Sequence, residues 1–393
     1  MRSSGIDRRD IAVIAAEVAT AVDLAEGPAG VLDVLRAVAR HEPIAVRDVS
    51  RHAELPVPIV AAICNELRRR NVVDSQRPVR LTESSRSAFA VGGWQDGGRC
   101  PTCDGRGIVV PAELEAIGDE LDRLAEAMPE AKVELDQTHC TVDTKLRRVM
   151  LMAELGLLTK RMVFLGDDDL TSLSVAHALS LTGETPSITV VDVDTDVLAF
   201  IAEQARTLGV HIDTVEHDLV KPLPEALLGA FELVFTDPPY TIAGAELFLS
   251  RAASALAPQI GHHILFAFGA RRPSETVAVQ RIIGELGLAV RSLQPNFNDY
   301  VGAGILGGTS HMYHLRTTDE TAPLIVGEHE GPLYSADGRA AAVRRYQCVQ
   351  CKHIEPVGPG ERYPRIADLK QATCPQCGSE KFRPLSLNER PKR

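Results

Sequence analysis

The chain has 393 residues, of which 45% are hydrophobic and only 4% aromatic, and its formal net charge is −11. This length exceeds what one core organises, so we expect roughly two to four domains packed mainly through aliphatic side chains. The negative charge disfavours a nucleic-acid partner and favours a cationic small molecule. No apolar run approaches the roughly 20 residues of a membrane span, and no signal-peptide pattern opens the chain. We therefore expect a cytoplasmic protein with no membrane partner.

Residues 1–98 are predicted to form a helical domain. Apolar residues at helical spacing predict helices around 31–38, 45–53 and 57–70, and two short strands follow at 72–73 and 79–81. Three helices and a small hairpin are typical of a winged helix-turn-helix, in which Arg68-Arg69-Arg70 would meet phosphates. Winged helices also serve as packing or dimerisation modules, which we favour here. We expect a homodimer.

Residues 99–140 are predicted to connect this domain to the next, and they contain Cys100-Pro101-Thr102-Cys103. One Cys-x-x-Cys pair needs two more ligands for a closed zinc site, and the candidates are His139 and Cys140. A reduced thiol pair in a turn is the alternative. Amphipathic helices are predicted over 111–128 and about 141–158.

Residues 141–325 alternate between apolar strands and helices, which predicts a doubly wound parallel α/β sheet. Five strand–helix units followed by a strand pair give the order of a methyltransferase-like Rossmann fold. The predicted strands are 162–165, 188–191, 211–216, 231–236, 264–268, 288–294 and 310–316.

The stretch Asp237-Pro238-Pro239-Tyr240 directly follows the fourth predicted strand. The proline pair stops the strand, because proline has no N–H for the ladder and restricts the residue before it. A carboxylate and a phenol are thus placed on a stiff loop at a strand's carboxyl end, where open α/β sheets bind ligands. A turn with a solvated aspartate is the structural alternative.

A second acidic loop, Gly166-Asp167-Asp168-Asp169, follows the first strand and opens a helix. One aspartate, most simply Asp169, would cap that helix, but capping does not explain three in a row. Asp192 and Asp218 end the second and third strands. Together with Asp237 these carboxylates predict a strongly negative pocket that suits polyamines or a sulfonium cofactor lacking a carboxylate.

Residues 335–393 carry two further cysteine pairs and a basic end. Cys348-x-x-Cys351 and Cys374-x-x-Cys377 predict a zinc ribbon, in which four thiolates hold one structural zinc ion that replaces a hydrophobic core.

The stretches Gly166-Asp-Asp-Asp-Leu-Thr-Ser172 and Phe235-Thr-Asp-Pro-Pro-Tyr-Thr241 resemble the motifs of the branched-chain polyamine synthases, or N4-bis(aminopropyl)spermidine synthases. The resemblance extends over the order of parts across roughly residues 28–320. It implies aminopropyl transfer from decarboxylated S-adenosylmethionine to spermidine, with release of 5′-methylthioadenosine.

The residues can be assigned roles in such a reaction. The sulfonium is already a good leaving group, so the enzyme must orient the amine and accept its proton. We expect this base to be Asp237 or a member of the Asp167–Asp169 set, with Tyr240 shaping the wall. On the cofactor side, Asp192 would hold the ribose hydroxyls and Asp218 the adenine amino group. Gly166 and Pro238 complete the cofactor site. A second transfer, onto a tertiary amine, would give a quaternary ammonium without a base.

The main alternative is an S-adenosylmethionine-dependent amino-methyltransferase acting on DNA or RNA. Asp-Pro-Pro-Tyr binds exocyclic amines in such enzymes, but three aspartates would lie against the methionine carboxylate. A third reading is a DNA-binding regulator whose degenerate enzyme core senses polyamines.

Overall fold

In the computed structural model, two compact units divide the chain: Met1–Val133 with Gln137–Glu330, and Glu134–Asp136 with Gly331–Arg393. The structure describes residues 7–89, 100, 102–103, 105–185, 187–269, 273–301, 308–335, 344–357, 361–363, 369–370 and 372–384. No helix in these ranges is both long and apolar enough to cross a bilayer.

Five helices build the N-terminal part of the larger unit. Their bounds are α1 Arg8–Ala21, α2 Gly27–His41, α3 Val46–Ala53, α4 Val57–Arg69 and α5 Glu83–Phe89. A capping box between Asp7 and Asp10 starts α1. The helices share one apolar core. The two strands predicted at 72–73 and 79–81 are present only as single bridges, Val73 with Leu81 and Val79 with Ile44. A winged helix therefore stays a prediction.

Three helices lead into the sheet. The predicted helix over 111–128 is two helices, α6 Ala112–Glu115 and α7 Gly118–Ala127, and α8 is Val142–Glu154. The side chain of Thr141 caps α8 by accepting from the Thr144 N–H.

A seven-stranded sheet with the order β3-β2-β1-β4-β5-β7-β6 forms the centre of the larger unit. The strands are β1 Arg161–Leu165, β2 Ser187–Asp192, β3 Asp213–Glu216, β4 Leu233–Thr236, β5 His263–Gly269, β6 Leu288–Asp299 and β7 Thr309–Thr317. The intervening helices are α9 Thr171–Thr182, α10 Thr195–Leu208, α11 Ile242–Ala255 and α12 Pro273–Glu285. The first five strands are parallel and β7 is antiparallel to both neighbours, which confirms the predicted mostly parallel α/β sheet.

The chain order reverses between β1 and β4, and this switch point locates the ligand crevice. Leu165 is in register with Thr236, so the loops that follow these strands leave the sheet side by side. Apart from the exposed Arg161 at the start of β1, the residues of both strands are buried, as parallel strands covered by helices must be.

The smaller unit contains a three-stranded sheet in the order β10-β8-β9. Its strands are β8 Arg344–Cys348, β9 Ile354–Val357 and β10 Phe382–Pro384. Val357, Tyr363 and Leu369 form its only small apolar cluster among the described residues, which is little core for an independent fold.

Candidate active site

The loops after β1 and β4 bring four aspartates to the switch point. Asp167, Asp168 and Asp169 follow β1 directly, and Asp237 follows β4. The Thr236 hydroxyl donates to the Leu165 carbonyl across the strand pair, at 2.8 Å. The structure thus brings the two predicted motifs together, although their four carboxylates have different surroundings.

The N-cap position of α9 is Leu170, and the carboxylate that binds the first N–H groups of the helix is that of Asp167, so the sequence-based assignment of the cap to Asp169 was wrong. Its carboxylate accepts from the backbone N–H groups of Thr171, at 2.9 Å, and Ser172, at 3.1 Å. Leu170 has a left-handed backbone conformation with φ of 56°, and this turn directs Asp169 away from the helix start. Burial raises the pKa of Asp167 to about 7, although hydrogen bonds from Ser172 and Thr171 oppose the shift.

Asp169 is instead paired with Arg148, a fully buried arginine of α8. Arg148 Nη1 donates to Asp169 Oδ2 at 2.8 Å and to the Thr171 hydroxyl at 2.9 Å. Burial alone would raise the pKa of Asp169, but the charges of Arg148 and Lys145 hold it below its usual value. Lys145 is buried as well and lies one helical turn before Arg148.

The same guanidinium holds Asp237. Arg148 Nη2 lies 2.7 Å from Asp237 Oδ2, its Nε donates to the Asn298 side chain, and its plane lies over the Phe235 ring. One cation therefore fixes the loops after β1 and β4 relative to each other. Removing either partner of such a buried pair leaves an uncompensated buried charge, which strongly destabilises the fold.

Two tyrosines complete the surroundings of Asp237. The Tyr240 hydroxyl donates to Oδ1 at 2.9 Å, and the Tyr300 hydroxyl donates to Oδ2 at 2.6 Å. Burial raises the pKa of Asp237 to about 6, against the lowering influence of Arg148 and the two phenols. Gly269 leaves room for Tyr240, because a Cβ there would lie 2.6 Å from its ring.

Asp168 is the least constrained of the four aspartates. It is partly exposed, and its one hydrogen bond in the described chain comes from the Thr138 N–H to Oδ2, at 3.2 Å. The partial burial of the carboxyl group and then the charges of Asp169, Asp237, Asp192 and Asp167 raise its pKa well above the usual value. Asp168 has no ion pair with a described residue, so it is free to meet a cationic ligand.

The two aspartates expected to hold the cofactor lie farther along the same edge of the sheet. Asp192, at the end of β2, accepts from the N–H groups of Asp167 and Asp194, and burial raises its pKa. Its bond to Asp167 joins it to the first acidic loop, next to Gly166. Asp218, after β3, accepts from the Val220 N–H and is hydrogen-bonded to none of the other described aspartates.

Sequence reasoning missed Arg148, Lys145 and Tyr300. Arg148 and Lys145 lie at i and i+3 on α8, a spacing that also fits a solvated helix face. Tyr300 follows β6, which runs five residues beyond the predicted strand end. The signal available in the sequence was the pair of cations one turn apart among the apolar residues Leu146, Val149 and Met152 of the same helix.

The second candidate site is the cysteine cluster of the smaller unit. The four sulfur atoms of Cys348, Cys351, Cys374 and Cys377 lie within 4.8 Å of one another. Two of the pairs, Cys348 with Cys377 and Cys351 with Cys374, are 3.5 Å apart. Zinc–thiolate bonds of about 2.3 Å place tetrahedral sulfurs slightly farther apart than this, so the donor set and its size fit a structural zinc ion.

The other cysteine pair has no such surroundings. Among the described residues, Cys100 and Cys103 belong to no group of three or more metal-type ligands. Cys140 is buried beside Asp169 and donates its backbone N–H to that carboxylate, and burial raises the pKa of its thiol well above the usual value. A zinc site built from these cysteines is not supported.

Comparison with known proteins identifies the family. Residues 117–322 match the family model of the branched-chain polyamine synthase A C-terminal domain. The chain belongs to the branched-chain polyamine synthase family. This match spans the sheet and both acidic loops, so the resemblance of the two motifs is confirmed.

Relatives and solved structures agree with this assignment. The chain is 33% identical to the N(4)-bis(aminopropyl)spermidine synthase of Methanocaldococcus jannaschii over 64% of its own length and 72% of the relative. An uncharacterized protein of the same organism is 33% identical over 96% of this chain and 94% of its own. The branched-chain polyamine synthase of Thermus thermophilus, solved with N4-aminopropylspermidine and 5′-methylthioadenosine, superposes with a TM-score of 0.66. It shares 26% identity and covers 84% of this chain and 99% of its own.

Removing the buried guanidinium should destabilise the fold. An Arg148→Met substitution leaves Asp169 and Asp237 buried without a cation, so we expect the free energy of unfolding to fall by about 3–5 kcal/mol. Urea denaturation measures it. The control is Arg36→Met, which removes an exposed pair with Asp33 and should change little. A wild-type midpoint for Arg148→Met would contradict the role given to Arg148.

Metal content tests the cysteine cluster. Protein purified without chelator should contain about one zinc ion per chain, and a Cys374→Ala substitution should abolish it because three thiolates leave the tetrahedron open. Elemental analysis makes the measurement, with Cys64→Ala, a buried cysteine of the helical region, as the control. Unchanged metal in Cys374→Ala would refute the site.

Proposed function

We propose that the chain is an aminopropyltransferase that moves the aminopropyl group of decarboxylated S-adenosylmethionine to spermidine, yielding branched polyamines and 5′-methylthioadenosine. The observation that carries this proposal is the crevice at the β1–β4 switch point. Arg148 neutralises part of its acidic wall, while Asp168 remains open to a cation. Membership of the branched-chain polyamine synthase family supports the same reaction.

The donor would lie along the ends of β1, β2 and β3. Asp192 would accept hydrogen bonds from the ribose hydroxyls, and its lone pairs are oriented by the N–H groups of Asp167 and Asp194. Asp218 would receive the adenine amino group, with Gly166 and Pro238 lining the adenosine. The sulfonium would then face Asp168, which stabilises its positive charge.

The reaction needs orientation and one proton acceptor. The secondary amine of spermidine attacks the propyl carbon next to sulfur, the carbon–sulfur bond breaks, and the electron pair stays on the neutral thioether that leaves. The new ammonium then loses a proton to a carboxylate. Transfer to the resulting tertiary amine gives a quaternary ammonium, so that step has no proton to release.

Asp168 is the better candidate for this proton acceptor. Asp167 caps α9, Asp169 is bound to Arg148, and Asp237 already accepts from a guanidinium and two phenols. Asp168 has an oxygen with no donor in the described chain, and its raised pKa favours proton uptake. Asp237 is better suited to hold the attacking amine, since its geometry is fixed by Arg148, Tyr240 and Tyr300.

The N-terminal helices would serve as a packing module. Two arginines of the run are paired with acidic neighbours: Arg69 pairs with Glu66, and Arg70 pairs with Glu66 and Glu17. This reduces the positive charge available to phosphates and disfavours the nucleic-acid methyltransferase and the regulator. We also propose that these helices form a winged helix, that the four cysteines form a zinc ribbon, and that the protein is a homodimer.

Products identified by mass test the function. Wild-type protein is incubated with decarboxylated S-adenosylmethionine and spermidine, and separately with S-adenosylmethionine and DNA or RNA. We expect aminopropylated spermidine and methylthioadenosine only in the first mixture. Methylated nucleic acid without any branched polyamine would replace this function with the methyltransferase.

An Asp168→Asn substitution should separate the two transfers. We expect kcat with spermidine to fall by about 10²–10⁴-fold, the usual contribution of a general base. Transfer to N4-aminopropylspermidine should fall much less, because that attack releases no proton. Steady-state rates with both acceptors make the measurement, and the exposed Asp213→Asn serves as control. Equal losses for both acceptors would leave Asp168 only the stabilisation of the sulfonium, which both transfers share, and would refute its role as proton acceptor.

A further inference from the structure

One carboxylate near the crevice binds three arginines from three separate parts of the chain. Asp299 ends β6 and lies 3.0 Å from each of Arg51 of α3, Arg106 of the connector and Arg147 of α8. The four side chains are between 9% and 21% exposed. We call these four residues the Asp299 cluster. Arg51 also pairs with Asp48 and Arg147 also pairs with Asp143, so Asp299 is the point at which arginines from three parts of the chain meet.

The cluster binds the part of β6 in which the pairing with β7 is interrupted. The register between β6 and β7 shifts between Gln294 and Asn298, and Asn296 has a left-handed φ of 53°. The arginines replace the lost ladder partners: Arg106 donates to the Asn296 carbonyl and Arg147 donates to the Phe297 carbonyl. The Asn296 side chain in turn donates to the Arg51 carbonyl of α3.

The next residue after Asp299 is Tyr300, which contacts the reacting crevice. Its hydroxyl lies 2.6 Å from both Asp237 Oδ2 and the Tyr240 hydroxyl, and 2.9 Å from the Ser310 hydroxyl. The Asp299 carbonyl accepts from the Thr141 N–H at 2.8 Å. The backbone on which Tyr300 stands is therefore held by three sets of contacts: the Asp299 cluster, the Thr141 N–H, and the β6–β7 ladder, in which Asp299 pairs with Thr309.

We propose that Arg51 and Asp299 are positioning residues, through which the N-terminal helical region holds the Tyr300 hydroxyl on Asp237. This inference rests on the proposed aminopropyl transfer, in which Asp237 holds the attacking amine. It gives the N-terminal helices a part in the reaction: α3 supplies one of the three cations that fix the segment before Tyr300.

The pKa of Asp237 depends on the position of the Tyr300 hydroxyl and therefore reports on the Asp299 cluster. The groups that face its carboxylate are Arg148, Asp168, Asp169, Tyr240, Tyr300 and Cys140. Among them the Tyr300 hydrogen bond lowers the pKa of Asp237, which burial has raised to about 6. Weakening that bond should raise the pKa further, so amine binding should be lost at a higher pH than in the wild type as the pH falls.

The test compares Arg51→Gln, Tyr300→Phe and the double variant with wild type. Arg51→Gln leaves Asp299 paired with Arg106 and Arg147, so the fold should persist, and thermal melting checks this. We expect kcat to fall about tenfold in Tyr300→Phe, the size of one hydrogen bond to a charged group, and several-fold in Arg51→Gln. The double variant should be no slower than Tyr300→Phe alone. The pH at which kcat/KM falls on the acid side should be higher in each of these three variants than in the wild type. The affinity for methylthioadenosine should stay within about twofold of the wild-type value.

Two controls make the outcome decisive. Arg51→Lys keeps the cation and should recover most of the rate, and Arg36→Gln, an exposed arginine of α2, should behave as wild type. If Arg51→Gln keeps the wild-type rate and acid limb, or if its effect adds fully to that of Tyr300→Phe, the inference is wrong. A wild type that makes no branched polyamine would refute the proposed function instead. In that case, calorimetry of spermidine binding as a function of pH would test the cluster without turnover. A binding profile in Arg51→Gln with the same pH dependence as the wild type would overturn the inference.

Discussion

The buried guanidinium of Arg148 is the interaction on which the crevice depends. It binds Asp169 and Asp237 at 2.8 and 2.7 Å, and these carboxylates stand on the two loops that flank the switch point of the sheet. Without it, two carboxylates would be buried side by side and would have to take up protons or water. With it, both loops keep one geometry. Of the four aspartates in those loops, Asp168 alone remains available to bind a ligand.

The parallel strands, helix α8 and strand β6 each contribute one element of this site. The parallel strands place the acidic loops in register, α8 brings the two cations, and β6 delivers Tyr300 after its bulge. Asp167, Asp168, Asp169, Asp192 and Asp237 outnumber Arg148 and Lys145, so the crevice keeps a negative formal charge despite the buried cations. A negative crevice with fixed geometry suits amines that must be held in line with a sulfonium carbon.

The sequence could predict what depends on short-range pattern. Apolar runs located the strands, and the acidic residues at their ends located the crevice, because parallel strands all end at one edge. Cysteine spacing likewise located the metal-type cluster. The prediction that Asp169 caps α9 was wrong because the left-handed turn at Leu170 decides which aspartate faces the helix. Arg148 and Tyr300 were missed because they lie on α8 and after β6, and only tertiary packing brings them to Asp237.

The central claim is that this crevice is built for cations, and donor selectivity tests it most directly. Decarboxylated S-adenosylmethionine and S-adenosylmethionine differ only in the carboxylate that would face Asp168. Titration calorimetry gives the dissociation constant of each for the wild-type protein at one ionic strength. Each unscreened like-charge contact costs on the order of 1 kcal/mol or more, so the decarboxylated donor should bind at least about fivefold more tightly. Equal affinities, or tighter binding of S-adenosylmethionine, would contradict the account.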